Sequence, residues 1–384
     1  MKKSLLALAV LGAFAGAAQA QSSVTIYGIV DTGVVYTSKA VNTGNNTTGS
    51  KFGLNSGIIQ GSRIGFKGVE DLGGGLKAVF NLETGFNNDN GALNGQDAGS
   101  TNLFRRKSVV GLAGGFGTVL LGRQTDFADT ISAMTSVNDF GGITGAVGHN
   151  LDRLEGTRTN NSVSYTTNNL GGFTGNLMYG FGETAGQTSA GQSFGIGGKY
   201  ENGPLGLGLN YYQSKQGATP SDTSLISAAS ATTNVGSSAY KGLNVVASYQ
   251  FGPARVYANY SRVKQDLNTA SPTAFSSKTL GAANKADVYE IGTAYALSPS
   301  LKLLAAVTHT RADFNSSSKG KLTQLSLGTD YWLSKRTDLY AFVASTRASD
   351  MANSGVFGDA TGNAVTGSAD ASQTAVAVGI RHKF

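Results

Sequence analysis

The chain has 384 residues, a formal net charge of +7, no cysteine and three histidines. Without cysteine neither a disulfide framework nor a thiolate metal site can form, and His149, His309 and His382 show no metal-ligand spacing. About 40% of the residues are hydrophobic and alternate with polar ones, unlike a disordered chain, and the Lys and Arg residues are scattered through this pattern with no basic tail, which argues against nucleic-acid binding.

Residues 1–20 read as a targeting segment. Lys2 and Lys3 open it, a short apolar run follows, and Ala18-Gln19-Ala20 gives a small-x-small cleavage pattern. The run is too short to span a bilayer. The domain division is therefore a cleaved signal peptide at 1–20 and one domain at 21–384. No later run is apolar enough for a membrane helix, but strands that close into a barrel can also cross a membrane.

From Val24 onward the pattern is strand, long polar connection, strand, short turn. The first strand is expected over residues 24–37, with Val24, Ile26, Gly28 and Val30 on one face and Thr25, Tyr27, Ile29 and Asp31 on the other. A polar loop is expected over 40–55 and a second strand over 58–69, where Ile64, Phe66 and Gly68 oppose Arg63, Gly65 and Lys67. A Gly-rich turn at 70–75 leads to a third strand over 76–86. Short turns recur at 114–117, 168–172, 201–204, 251–253, 298–300 and 334–336. Long connections recur near 87–102, 125–159, 183–192, 214–240, 265–285, 313–319 and 349–371. The last strand covers 374–384: Val376, Val378, Ile380, His382 and Phe384 share one face, and Ala375, Ala377, Gly379, Arg381 and Lys383 the other.

This arrangement gives roughly sixteen strands of membrane-spanning length. The strict alternation of short and long connections suits an up-and-down barrel. A soluble sandwich would bury both inner faces in apolar contact, whereas here the second face repeatedly carries charge. The fold class is all-β: a transmembrane antiparallel up-and-down β-barrel with its apolar face outward. An even strand number places both termini on the short-turn, periplasmic side.

Five blocks carry a resemblance: SVTIYGIVDTGV at 23–34, GSRIGFKGVEDLGGGLKAVFNLETGF at 61–86, RKSVVGLAGGFGTVLLGRQ at 106–124, NNSVSYTT at 160–167 and the terminal VGIRHKF. Together they are similar to the trimeric general porins of Gram-negative outer membranes, the beta-proteobacterial type above all. The resemblance spans essentially the whole mature chain. It implies a sixteen-stranded barrel, a homotrimer, no cofactor, and passive diffusion of small hydrophilic solutes and ions. It also implies a third loop folded into the pore and a terminal aromatic, Phe384, read by the outer-membrane assembly machinery. Outer-membrane lipid and lipopolysaccharide would surround the barrel. The family carries a Pro-Glu-Phe-Gly-Gly motif in that loop. Here Asn138-Asp139-Phe140-Gly141-Gly142 stands in its place, which leaves the position of the acid open.

The resemblance also implies a constriction in which wall cations face loop acids across a transverse field. Arg63 and Lys67 share the lumen face. Motif matching adds Arg106, Arg123 and Arg158 to the wall, with Glu83. The loop contributes Asp126, Asp129 and Asp139, with Phe140, Gly141 and Gly142 shaping its turn. A strand-end arginine can equally sit at the headgroup boundary, and a loop aspartate can simply be solvated. Lys107 conflicts with the scheme, because strict alternation from Arg106 turns it toward lipid.

Three other readings stay open on the residues alone. A substrate-specific channel of the same fold would need an ordered track of lumen groups. An exported β-rich adhesin would need no membrane. A barrel enzyme would need a histidine beside a serine, and nothing in the sequence pairs His149 or His309 with one. The Gly-rich GIGGKY and GLGLNYY lack the context of a phosphate loop. The mildly basic mature chain leans toward anion preference.

Overall fold

The computed structural model describes residues 23–42, 47–93, 102–141, 158–215, 217, 221, 238–265, 283–314, 319–351, 353, 355–356 and 372–384. The expected signal segment and Gly142 lie outside the described residues. Chain order begins with β1 (Ser23–Asn42), β2 (Thr47–Ser56), β3 (Arg63–Gly73), β4 (Leu76–Gly85), β5 (Lys107–Gly114) and β6 (Gly117–Thr125). Two single-turn helices follow, α1 (Ala128–Ser132) and α2 (Ser136–Phe140). Then come β7 (Arg158–Thr166), β8 (Phe173–Gly180), β9 (Ser193–Asn202), β10 (Leu205–Lys215), β11 (Ser238–Phe251) and β12 (Ala254–Gln265). The chain finishes with β13 (Lys285–Ser298), β14 (Leu301–Asp313), β15 (Lys319–Trp332), β16 (Thr337–Ser349) and β17 (Ser372–Lys383).

Each strand from β3 to β17 pairs antiparallel with its sequence neighbour, and β17 returns to β1. The closing ladder runs from Ile29 opposite Lys383 to Thr37 opposite Ala375. Beyond it, Gly28 and Phe384 exchange main-chain hydrogen bonds of 3.0 and 3.1 Å. Closure satisfies every edge, as a structure immersed in lipid must.

The alternation seen in the sequence decides which way the strands face. Val24 and Ile26 are 67% and 58% exposed on the outside, and Leu325, Leu327 and Tyr331 continue the apolar band farther round. Such a wide contiguous apolar surface is incompatible with water but suits lipid. Asn210, Asn244, Asn259, Ser261, Gln324 and Ser326 point inward instead. Within this set Asn244 Nδ2 donates to Ser261 Oγ at 2.8 Å and Gln324 Nε2 to Ser326 Oγ at 2.9 Å.

The start of the chain departs from the expected pattern. β1 extends to Asn42, and much of the expected loop at 40–55 is the strand β2. Residues 58–62, expected to open the second strand, form a bend. β2 pairs with the second half of β1, with Val34 opposite Leu54, and β3 pairs with the first half, with Ile26 opposite Phe66. The two are one strand position interrupted at 57–62, so seventeen strands fill sixteen places round the barrel.

Asp31 holds the interruption. Its Oδ2 accepts from Ile59 N at 3.0 Å and Gln60 N at 2.8 Å, and its Oδ1 accepts from the Tyr340 hydroxyl at 2.6 Å. Ser62 Oγ donates to the Asp31 carbonyl at 3.2 Å. A run of apolar residues therefore does not continue as strand, because a buried carboxylate on β1 captures its amides. Ile58 and Ile59 turn inward, into a buried cluster with Val35, Phe140 and Phe342.

The wall is uneven in height. β5 to β8 have 8 or 9 residues each, whereas β13 to β16 have 13 or 14.

Candidate pore constriction

The third connection leaves the wall at Thr125 and runs inside the barrel. Asp126 is buried, and its Oδ1 accepts from Ala128 N at 3.1 Å, which starts α1. Phe127 and Ile131 pack on Val246 of β11. Glycines in the wall leave them room: a Cβ at Gly197 would lie 2.4 Å from the Phe127 ring, and one at Gly208 2.8 Å from Ile131. At Thr135 the chain turns into α2, with Thr135 Oγ1 accepting from Val137 N at 3.3 Å.

Three anchors hold α2 to the wall. Ser136 donates through N and Oγ to the buried Glu290 carboxylate on β13, at 3.1 and 2.5 Å. Asp139 Oδ2 pairs with Arg255 Nη2 on β12 at 2.5 Å, and Arg255 Nη1 donates to the Ala133 carbonyl at 3.0 Å. Phe140 is fully buried, its ring centroid 5.5 Å from that of Phe342 on β16. Gly141 then passes against the bend at 57–62 with φ +50°, where a Cβ would lie 1.5 Å from the Ile59 carbonyl oxygen. The segment thus follows the inner wall from β9 round to β16 and on to the bend beside β1.

The sector that the described part of the loop does not reach, β3 to β5, carries the basic cluster. Glu83 on β4 is its centre. Arg106 Nε lies 2.7 Å from Glu83 Oε1, Arg63 Nε lies 3.8 Å from Oε2, and the Tyr27 hydroxyl donates to Oε2 at 2.9 Å. Lys67 sits over the Tyr27 ring, 5.3 Å from its centroid. Lys107 pairs with Glu83 across the ladder, so its side chain belongs to the lumen side. The apparent conflict with Arg106 disappears because Arg106 precedes β5. Alternation does not reach it, and both cations can approach Glu83. Lys383 on β17 is close enough to Arg63 to act on it electrostatically.

The remaining residues singled out in the sequence fall as follows. Asp129 is exposed at the start of α1, accepts from Thr125 Oγ1 at 3.3 Å and acts electrostatically on Arg63. Asp139 faces Arg255 rather than the β3–β5 cluster. Arg158 opens β7 opposite Thr125, at the root of the loop. Arg123 pairs with Ser108, on the same side of β6 as the outward Leu121. Its guanidinium bonds Arg105 O at 2.5 Å and Asn160 Oδ1 at 2.6 Å, which ties together three segments of wall.

Sequence reasoning missed Arg255, Glu290 and Arg381. Arg255 shares its face with the buried Tyr257 and Asn259, so alternation alone would have placed it in the lumen. Arg381 contacts Asp338 at 3.0 Å and Asp330 at 3.7 Å. It and Lys383 flank the Trp332 ring, 5.6 and 5.2 Å from its centroid.

A closed barrel with an apolar exterior, a polar lumen and an inward-folded loop defines a channel across a lipid bilayer. A family model described as Gram-negative porin matches residues 7–351. Outer membrane porin protein 32 of Delftia acidovorans is 37% identical over 399 residues, covering the full length of both chains. An outer membrane porin protein of Bordetella pertussis is 31% identical over 419 residues, again covering both chains in full. Among solved structures, the anion-selective porin from Comamonas acidovorans superposes with a TM-score of 0.69 at 29% identity, covering 95% of this chain and 100% of that one. The chain belongs to the Gram-negative porin family. It is an outer-membrane porin, a channel of the sixteen-stranded type.

Proposed function

We propose that the channel passes small hydrophilic solutes passively and favours anions, with selectivity set where the third loop faces the β3–β5 wall. The observation that carries this reading is the imbalance of charge across that gap. Arg63, Lys67, Arg106 and Lys107 lie on the wall, where Glu83 pairs with Arg63 and Arg106. Among the described residues of the loop, Asp139 is neutralised by Arg255 and Asp126 is buried with Oδ1 accepting from Ala128 N, which leaves Asp129 as the exposed acid. The similar porin of Comamonas acidovorans is described as anion-selective, which points the same way.

A unit charge ~5 Å from the ion path contributes about 0.8 kcal/mol even in water, roughly a four-fold change in local anion concentration. Arg63→Ala and Arg106→Ala should therefore each move the reversal potential in a salt gradient toward cation preference, with unchanged barrel stability. An unchanged potential in both variants would remove these residues from the ion path.

In this reading residues 1–20 are removed on export. The long connections face the cell exterior and both termini the periplasm. Phe384 serves assembly, and the lumen performs no catalysis. Three copies associate through the low wall of β5 to β8, whose strands are at the short limit for crossing a bilayer alone. Conductance in three equal steps from single insertions is the expected signature; single unitary steps would oppose it.

A further inference from the structure

The single tryptophan of the chain, Trp332, closes β15 on the lumen side. It lies opposite Asp338 of β16, which lies opposite Arg381 of β17, and both of those partners are buried inside the barrel. Its chain neighbours Tyr331 and Leu333 are the outward, exposed residues. Interfacial belts place tryptophan on the outer face at strand ends, where the ring meets headgroups. Trp332 has the opposite parity and stands at the short-turn mouth of the pore. The turn beneath it is fixed: Leu333 N donates to Thr337 O at 2.9 Å, and Ser334 Oγ accepts from Arg336 N and Thr337 N, each at 3.1 Å.

Inward-pointing rings nearby are occupied by packing. Tyr340 and Phe342 are buried, with centroids 5.3 Å apart, and belong to the cluster under the loop tip. Trp332 lies outside that cluster and keeps part of its surface open. The charges around it divide by access. Asp31, Asp330 and Asp338 are all buried. Asp31 is taken up by two amides and the Tyr340 hydroxyl, and Asp338 by Arg381 at 3.0 Å. Arg381 is itself buried, so its guanidinium, 5.6 Å from the indole centroid, is not free to leave. Lys383 differs. It is half-buried, forms no ion pair among the described residues, and rests its ammonium 5.2 Å from the indole centroid. The accessible charge beside the indole is therefore positive. The ladders connect Lys383 through Ile29 to Arg63, so this corner adjoins the basic cluster of the β3–β5 wall.

We propose that Trp332 and Lys383 form a binding site for planar aromatic monocarboxylates, at which such solutes pause between the constriction and the short-turn mouth. The solute ring stacks on the indole and its carboxylate takes the Lys383 ammonium. A cation–π contact at an open site is weaker than a charge-assisted hydrogen bond, and the lysine stem is flexible, so the ammonium leaves the ring for a carboxylate. Arg381 stays with Asp338 and holds the indole in place. Both halves of the solute are needed. An aliphatic anion satisfies the ammonium and leaves the indole surface in water, and a neutral aromatic does the reverse.

The site is separate from the anion preference proposed for the β3–β5 wall. That preference is read as a reversal potential in chloride. Benzoate binding by a channel without chloride preference would refute the selectivity reading and leave this site in place.

Because Trp332 is the single tryptophan, its emission reports the site directly in detergent-purified, conducting protein. Benzoate should change that emission saturably and reduce chloride conductance with the same midpoint. Cyclohexanecarboxylate, equal in charge and similar in size but without a π face, should bind roughly 2- to 10-fold more weakly. Lys383→Gln should weaken benzoate about ten-fold, and Lys383→Arg should keep most of the affinity. Trp332→Leu, followed by conductance, should abolish the difference between the two carboxylates. No saturable emission change overturns the proposal, and so does equal affinity of wild type for benzoate and cyclohexanecarboxylate; neither result needs a variant to fold. Unchanged benzoate affinity in a conducting Lys383→Gln variant overturns it as well.

Discussion

Gly141→Ala tests whether the loop tip is locked to the wall. The Cβ of alanine would lie 1.5 Å from the Ile59 carbonyl oxygen and 2.4 Å from its carbon, against about 3.4 Å for ordinary contact. The obstacle is main chain, held in place by Asp31 through Ile59 N and Gln60 N. The tip must therefore retreat by about 2 Å, the difference between those distances. A further ~1–3 kcal/mol comes from holding a non-glycine residue at φ +50°, ψ −125°, a sparsely populated region outside the left-handed helical well. Phe140, the preceding residue, leaves its buried site with the tip, and undocking a buried Phe forfeits about 3 kcal/mol or more. The wall blocks retreat in one direction, so the tip moves into the lumen. Single-channel recording should show a lower mean conductance with frequent transient closures, while the barrel keeps its heat-modifiability because no ladder bond is touched. Traces indistinguishable from wild type in amplitude and noise would refute the docking argument.

Three further outcomes are expected. Arg255→Ala exposes the Asp139 carboxylate and should shift selectivity toward cations, whereas Asp139→Asn frees Arg255 and should shift it toward anions; reversal potentials moving in the same direction would exclude the pairing. Asp31→Ala strands the Ile59 and Gln60 amides and the Tyr340 hydroxyl, at roughly 1–2 kcal/mol each, and should lower the unfolding temperature on heated gels, with a smaller drop for Asp31→Asn. Deleting Phe384 removes its main-chain bonds to Gly28 and should reduce the yield of inserted barrel while inserted channels keep wild-type conductance; normal yield would count against an assembly role.

Much of the barrel was legible because a period of two is a local signal. Arg63, Lys67 and Glu83 could be placed on the lumen face from their immediate neighbours, and so could the outward Val376, Val378 and Ile380. The bend at 57–62 was not legible, since Ile58 and Ile59 read as strand until Asp31 is known to take their amides. The anchors of the third loop were hidden for the same reason. Asp139 and Arg255 are separated by 116 residues and Ser136 and Glu290 by 154, and no local pattern couples them. Lys107 shows the converse error: alternation was extended from Arg106, a residue outside the strand, and the register was lost by one.

The interrupted strand bears on the order of assembly. The tip of the third loop rests on Phe342 of β16 and on Ile59, which hangs from β1, and Tyr340 of β16 reaches across β17 to Asp31. Those partners come from opposite ends of the chain and meet when the last strand joins the first. Until that seam closes, the loop has half a socket. Narrowing of the pore is therefore conditional on a finished barrel, and the narrow pore serves as a record that the circle was completed in register.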